Sequence, residues 1–297
     1  MYRRWLWPGF ALPGVVWLIV LFLVPFYTVL AVALGTVDPI LFQAVPIWNP
    51  LEWNVGWLNE VIHRLGPGGN LTDVALRTLQ YVAVAVGLSL LIGYPVAYYI
   101  ARLAGRTKAL LLILVIAPLW INYLMRMLAW VNLLAPDGYV NRVLTSTHIL
   151  SEPRDWLGGR PSTVILALVY GYIPFLILPL FAALDRIDRS HLEAARDLGA
   201  SRFRAFLHVT LPLSKFGILG GAVLIALPMF GDYYTPNIVS EAPTTSMIGN
   251  QIDFYFHGGP QPTIGAAITV VLSAFLTLIM GYYLWTIHKA TREERTP

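Results

Sequence analysis

Six apolar runs constrain this chain more than any other feature of it, because each is near the ~20 residues that a helix needs to cross a hydrocarbon core. They cover about 10–34, 74–101, 109–134, 161–184, 213–231 and 263–287. A bilayer interior offers no partner to an open backbone group, so such runs must close their own hydrogen bonds as helices. The expected fold is an all-α integral membrane protein with six transmembrane helices in one transmembrane domain over residues 1–297. Charged residues make up only 12% of the chain, against about 25% in soluble domains. With no cysteine, disulfides, iron–sulfur clusters, thiolate metal sites and a Cys nucleophile are excluded. No basic tract interleaved with aromatics is present, which argues against a nucleic-acid partner.

The first run is too long for the ~7–15-residue core of a signal peptide, so it reads as a span. The following stretch, Gly35 to Leu71, is polar and broken by Pro39, Pro46, Pro50 and Gly66-Pro-Gly-Gly, with Trp48, Trp53 and Trp57 at a level suited to the membrane boundary. Within it, Leu58, Val61, Ile62 and Leu65 recur at helical spacing, as in a helix lying on the membrane or a lid packed on other spans.

Lys and Arg set the orientation. Arg3, Arg4, Arg102, Arg106, Lys108, Arg186, Arg189, Arg196, Arg202, Arg204, Lys215, Lys289, Arg292 and Arg295 all fall on one side if the spans alternate. Arg64, Arg77, Arg142, Arg154 and Arg160 fall on the other, and Arg126 lies within the third run. The positive-inside rule then predicts both termini in the cytoplasm.

The most charged segment between two spans, residues 185–212, is therefore expected to be cytoplasmic. Ser190-x-x-Glu193 has the form of a capping box, Gly199 suits a helix C-terminus, and Ser201 can cap a second short helix that Pro212 stops. Ala194, Ala195 and Ala200 leave the corner open to another backbone, and Arg196, Arg202 and Arg204 offer ion pairs. A solvated loop that merely obeys the charge rule fits these residues too.

The spacing is more specific. Glu193-Ala-Ala, then Gly199, then Val209-x-Leu211-Pro212 resembles the EAA loop of binding-protein-dependent ABC importer permeases, with Val209 where that pattern usually has Ile. Gly93-Tyr-Pro-Val-Ala-Tyr98, Pro118-Leu-Trp-Ile-Asn122 and Leu192-Glu-Ala-Ala-Arg-Asp-Leu-Gly-Ala-Ser201 look like the permeases for spermidine and putrescine. The resemblance implies a type I importer transmembrane domain in the bacterial inner membrane. It also implies a partner ATP-binding cassette ATPase dimer, a second permease subunit and an extracytoplasmic substrate-binding protein. Glu193, Ala194, Ala195, Gly199, Arg202, Leu211 and Pro212 would form the ATPase-coupling loop. The chain contains no G-x-x-x-x-G-K-[ST] loop, so ATP and Mg²⁺ are expected on the partner and no cofactor, catalytic residue or metal on this chain. Within the same class, ferric iron, phosphonate, sulfate or sugar are alternative substrates.

For the substrate path, interrupted spans are the usual pointer. The fifth run ends Pro228-Met-Phe-Gly-Asp232-Tyr-Tyr234, placing a carboxylate beside two rings where the helix opens outward. That suits a small organic cation, through charge and cation–π attraction of about 0.5–2 kcal/mol. Asp253, Trp120 and Tyr123 are further candidates, although interface anchoring explains each aromatic equally well. Arg126 costs about 2.5–3.5 kcal/mol at membrane depth and is expected to snorkel to the outer interface or to serve structure or a subunit contact. Gly217-x-x-x-Gly221 suits close packing, most simply within this chain. A membrane enzyme would need converging reactive groups, and His63, His148, His191, His208, His257 and His288 are scattered. A secondary transporter would carry more intramembrane charge than one Arg.

Overall fold

The computed structural model describes residues 6–240, 242–257 and 261–293. Arg3, Arg4 and Arg295, which enter the orientation argument, lie outside the described residues. The chain divides into two compact units, one made of 1–73 and 251–277, the other of 74–250 and 278–297.

In the first unit, α1 (Gly9–Ala33) passes through a π turn at Ile19–Leu23 and leaves nearly all its apolar side chains exposed, Trp17, Phe22 and Leu23 among them. Such a surface is stable only against lipid or another apolar partner. At its end the chain folds back as a small antiparallel hairpin, β1 (Thr36–Val37) with β2 (Ala44–Val45). The Ile47 amide donates to Ala31 O at 2.9 Å, and the Asn54 amide to Leu34 O at 2.9 Å. Tyr27 packs its ring against Trp48 and Trp53, which ties these tryptophans to α1. The predicted loop helix exists as α2 (Gly56–Leu65). Val61 is fully buried and Ile62 exposed, so the helix is packed on one side rather than lying flat on an apolar face.

The second unit is built on α3 (Thr72–Arg102), α7 (Pro161–Asp185) and α10 (Lys215–Phe230). Leu176, Leu180 and Leu184, one turn apart on α7, are fully buried, as are Ile225 and Met229 of α10. Gly217 and Gly221 bring α10 against α7: a Cβ at either would stand 2.3 Å from Ala183 Cβ or 2.7 Å from a Leu176 methyl. That motif is thus spent on packing inside the chain.

The third apolar run, 109–134, is not one helix. α4 (Gly105–Trp120) is bent by 91° from the helical stretch Tyr123–Ser146, which α5 (Tyr123–Leu134) opens. Pro118 sits in the closing 3₁₀ turn, Ile121 is extended, and Asn122 accepts a hydrogen bond from the Leu124 amide at 2.9 Å. A proline that tightens the turn, followed by an Asn N-cap, ends one helix and starts another. A second bent pair, at 60°, is α9 (Arg202–Leu213) with α10, so the bend lies where the fifth apolar run begins. Among the described residues, four helices are long and apolar enough to cross a membrane, or up to six if each bent pair counts as one span. The remaining elements are α6 (Tyr139–Ser146), α8 (Arg189–Asp197), α11 (Tyr234–Val239), α12 (Ile248–His257) and α13 (Pro262–Glu293).

Candidate functional site

Two polar places flank α10, the 185–212 loop before it and Asp232 after it. The loop is closed by local backbone bonds. α8 is capped by Asp188, whose Oδ1 accepts from the Ser190 amide at 3.0 Å, and that bond holds the Asp188 carboxyl below its ordinary pKa. The capping box read at Ser190 is therefore corrected: Ser190 lies inside the helix, and the cap is two residues earlier. At the other end Gly199 has φ +83°, its amide donates to Arg196 O at 2.8 Å, and the Ala200 amide donates to Ala195 O at 3.0 Å. This is the Schellman pattern, and its left-handed position strongly favours Gly. Ser201 Oγ then accepts from the Arg204 amide at 3.3 Å and starts α9.

Pro212 does not stop α9, contrary to the expectation. A π turn over Phe206–Thr210 precedes it and shifts the carbonyls that a proline ring would meet in a regular helix. The chain turns only at Ser214. Phe206 meets Tyr94 and Tyr98 of α3 edge-on at 5.9 and 5.6 Å, and Tyr94 Oη lies 2.9 Å from Ser214 Oγ. Arg102 donates to Ile187 O at 2.7 Å, and Lys108 pairs with Asp185 at 2.6 Å. The stem of the loop is therefore fastened to α3 and α4, whereas its tip projects: Leu198 is 89% exposed, and Glu193, Ala194, Gly199 and Arg202 are exposed with it. A groove of about 380 Å³ runs along Ala195, Leu198, Ala200, Arg204 and Val209. A fixed stem, an open corner and a charged rim can take a partner's surface without disturbing the core.

Asp232 is the opposite case. It is 6% exposed, not the outward-open carboxylate expected. Oδ2 accepts from Tyr123 Oη at 2.9 Å, Tyr172 Oη at 3.1 Å and Thr235 Oγ1 at 2.6 Å, and Oδ1 from the Thr235 amide at 3.0 Å. Four donors from α5, α7 and α11 offset the desolvation of a buried carboxylate. Tyr123 reaches it because it is the first residue after the 91° break, and because α7 has Gly171 there, where a Cβ would stand 2.9 Å from the Tyr123 ring. Asn250 fixes the same segment, donating to Tyr233 O at 3.0 Å and Asn237 Oδ1 at 2.6 Å.

Of the predicted path residues, Asp232 and Tyr123 are in contact, and Tyr233 stacks on Tyr234 at 4.1 Å. Trp120 is 78% exposed at the α4–α5 break. Asp253 belongs to the first unit, where it pairs with His257 at 3.0 Å. Arg126 does not snorkel: it is 6% exposed, its guanidinium lies 5.3 Å from the Tyr123 ring centre, and Nε and Nη1 have no partner among the described residues. The sequence does not single out Tyr172, Thr235, Phe206 or Asp188, and it offers Tyr94 only as part of the Gly93–Tyr98 motif, with no role of its own. Only Asp188, an Asx residue directly before a helical run, carried a usable signal.

Residues 89–286 match the profile of the family described as the binding-protein-dependent transport system inner membrane component. The chain belongs to that family. It is a multi-pass inner-membrane transport component, and the matched region contains both polar places. It is 34% identical over 275 residues, 90% of this chain and 89% of the relative, to the spermidine/putrescine transport system permease protein PotB of Haemophilus influenzae. It is 32% identical over 223 residues, 71% of this chain and 70% of the relative, to the inner membrane ABC transporter permease protein YdcU of Escherichia coli. The fold matches a chain of the bacterial alginate ABC transporter, solved in complex with a periplasmic protein bound to an alginate pentasaccharide. The TM-score there is 0.70 at 19% identity, covering 99% of this chain and 96% of that one.

Proposed function

We propose that this chain is one permease subunit of an ATP-driven polyamine importer, and that residues 185–212 couple it to a separate ATPase dimer. The observation that carries the substrate class is 34% identity across 90% of the chain to a permease named for spermidine and putrescine. Both termini lie in the cytoplasm in this reading, and the six apolar runs are the spans, the third bent at the α4–α5 break and the fifth carried by α10. A second permease subunit completes the path, and an extracytoplasmic binding protein delivers the substrate. ATP and Mg²⁺ are held by the ATPase. Glu193, Ala194, Ala195, Gly199 and Arg202 form the contact at the loop's exposed tip, while Leu211 and Pro212 set its return into the membrane.

The substrate path runs past the segment that Asp232 holds together. With its oxygens engaged by Tyr123, Tyr172 and Thr235, Asp232 shapes the path and adds negative potential there. The exposed rings of Tyr234 and Trp120, with Tyr233 beside them, offer faces to an ammonium group, and Asp253 lies on the outer side. The reconstituted importer should take up labelled spermidine in competition with putrescine and not with iron chelates or phosphonates. Glu193→Ala should insert normally yet lose co-purification with the ATPase. Transport of another class with no spermidine uptake would overturn the substrate, and normal co-purification and uptake in the variant would overturn the loop assignment.

A further inference from the structure

Two neighbouring concavities lie at the Arg102 end of α3. One, of about 570 Å³, is polar, and its charged lining is Arg102, Lys108, Arg186 and Arg189 with Asp185 and Asp188. The other, of about 400 Å³, runs between α3 and α4 along Val96, Tyr99, Leu111, Leu114 and Val115. Ile100 lines both, so the two are adjacent.

The carboxylates in the polar pocket are already engaged. Asp185 pairs with Lys108 at 2.6 Å, and Asp188 caps α8. Arg186 and Arg189 are exposed and form no ion pair among the described residues. Arg102 spends one Nη on Ile187 O, and its Nε is buried without a partner among the described residues. Three guanidinium groups thus surround a cavity with donors to spare, directly beside a groove that only a hydrocarbon chain would fill favourably. A free anion has no use for the groove, and a zwitterionic lipid would bring its choline cation among the arginines.

We infer that this is a binding site for one anionic phospholipid, its phosphate on Arg102, Arg186 and Arg189 and an acyl chain in the α3–α4 groove. Basic pockets between membrane helices on the cytoplasmic side take such headgroups. The assignment to the inner leaflet rests on the orientation proposed above. The pocket includes Asp185 to Arg189, the whole link between α7 and the coupling helix α8. An occupied site would brace the stem of the loop and make coupling sensitive to the charge of the leaflet.

The test is native mass spectrometry of the delipidated, assembled importer titrated with dioleoyl-phosphatidylglycerol or dioleoyl-phosphatidylcholine. Phosphatidylglycerol should bind more tightly. Arg186→Gln and Arg189→Gln should each weaken it about fivefold and weaken phosphatidylcholine less, because its choline cation already offsets the phosphate, whereas Val115→Trp, which fills the groove, should weaken both lipids. Glycerol 3-phosphate at the same concentration should not compete. Equal affinity for the two lipids, insensitivity to the arginine variants, or full competition by glycerol 3-phosphate would each overturn the site. So would binding to the separate permease that disappears on assembly, because a partner subunit would then be the occupant. Arg189→Cys in this cysteine-free chain should react with an impermeant maleimide only from the cytoplasmic face. Labelling from outside would overturn the orientation and the leaflet, separately from the lipid preference.

Discussion

The loop before α10 and the carboxylate after it solve the same problem in opposite ways. Each is a polar interruption of an apolar chain, and α10 separates them by about 24 Å at 1.5 Å per residue. The 185–212 loop meets its hydrogen bonds with its own neighbours: Asp188 to Ser190, Gly199 to Arg196, Ser201 to Arg204. Because those needs are met locally, its tip stays exposed and available. Asp232 meets its needs with side chains from three helices, Tyr123, Tyr172 and Thr235, and is buried by them. Changes at the loop should therefore alter association and leave folding nearly intact, whereas changes at the carboxylate should alter stability first.

The largest effect is expected where the carboxylate loses its donors. Tyr123→Phe combined with Tyr172→Phe leaves Asp232 only the two Thr235 donors and should cost about 3–5 kcal/mol, the scale for two lost hydrogen bonds to a charged group. Thermal unfolding in lipid nanodiscs would show it, and Asp232→Asn in that background should recover part of the loss. An unchanged melting temperature would break the contrast at its buried end.

A smaller effect is expected at the corner of the loop. Gly199→Asp places a side chain at φ +83° and should cost about 1–2 kcal/mol, confined to the loop. ATPase co-purification should fall while the melting temperature of the permease barely moves. If global stability falls as far as in the tyrosine double variant, the loop is not the independent element described.

The smallest effect concerns the cap. Asp188→Ala should loosen the first turn of α8, which loses its cap, seen as faster amide exchange there. Since the Ser190 amide lowers the Asp188 pKa, the ionised cap contributes fully above the ordinary carboxylate value of about 4. Its contribution is lost as pH falls through the lowered value. Asp188→Asn caps without titrating, so that acid-dependent step in α8 exchange should vanish.

The primary structure by itself determined the class of protein, the apolar runs and the place of the charged 185–212 loop. Those are properties of composition and short spacing: a run of 20 apolar residues or a Glu-Ala-Ala with a Gly six residues after the Glu is complete within its own segment. Even there, the cap was read at Ser190 instead of Asp188, because both precede a helical pattern and only backbone angles separate them. What tertiary structure alone decided involves partners far apart in the chain. Phe206 finds Tyr94 and Tyr98 more than 100 residues away. The 91° break at Ile121–Asn122 turns a presumed straight span into an elbow. That elbow carries Tyr123 to Asp232, 109 residues on. Whether a carboxylate at a helix end is an open site or a buried fastening depends on which donors the fold brings to it, and no local pattern encodes that.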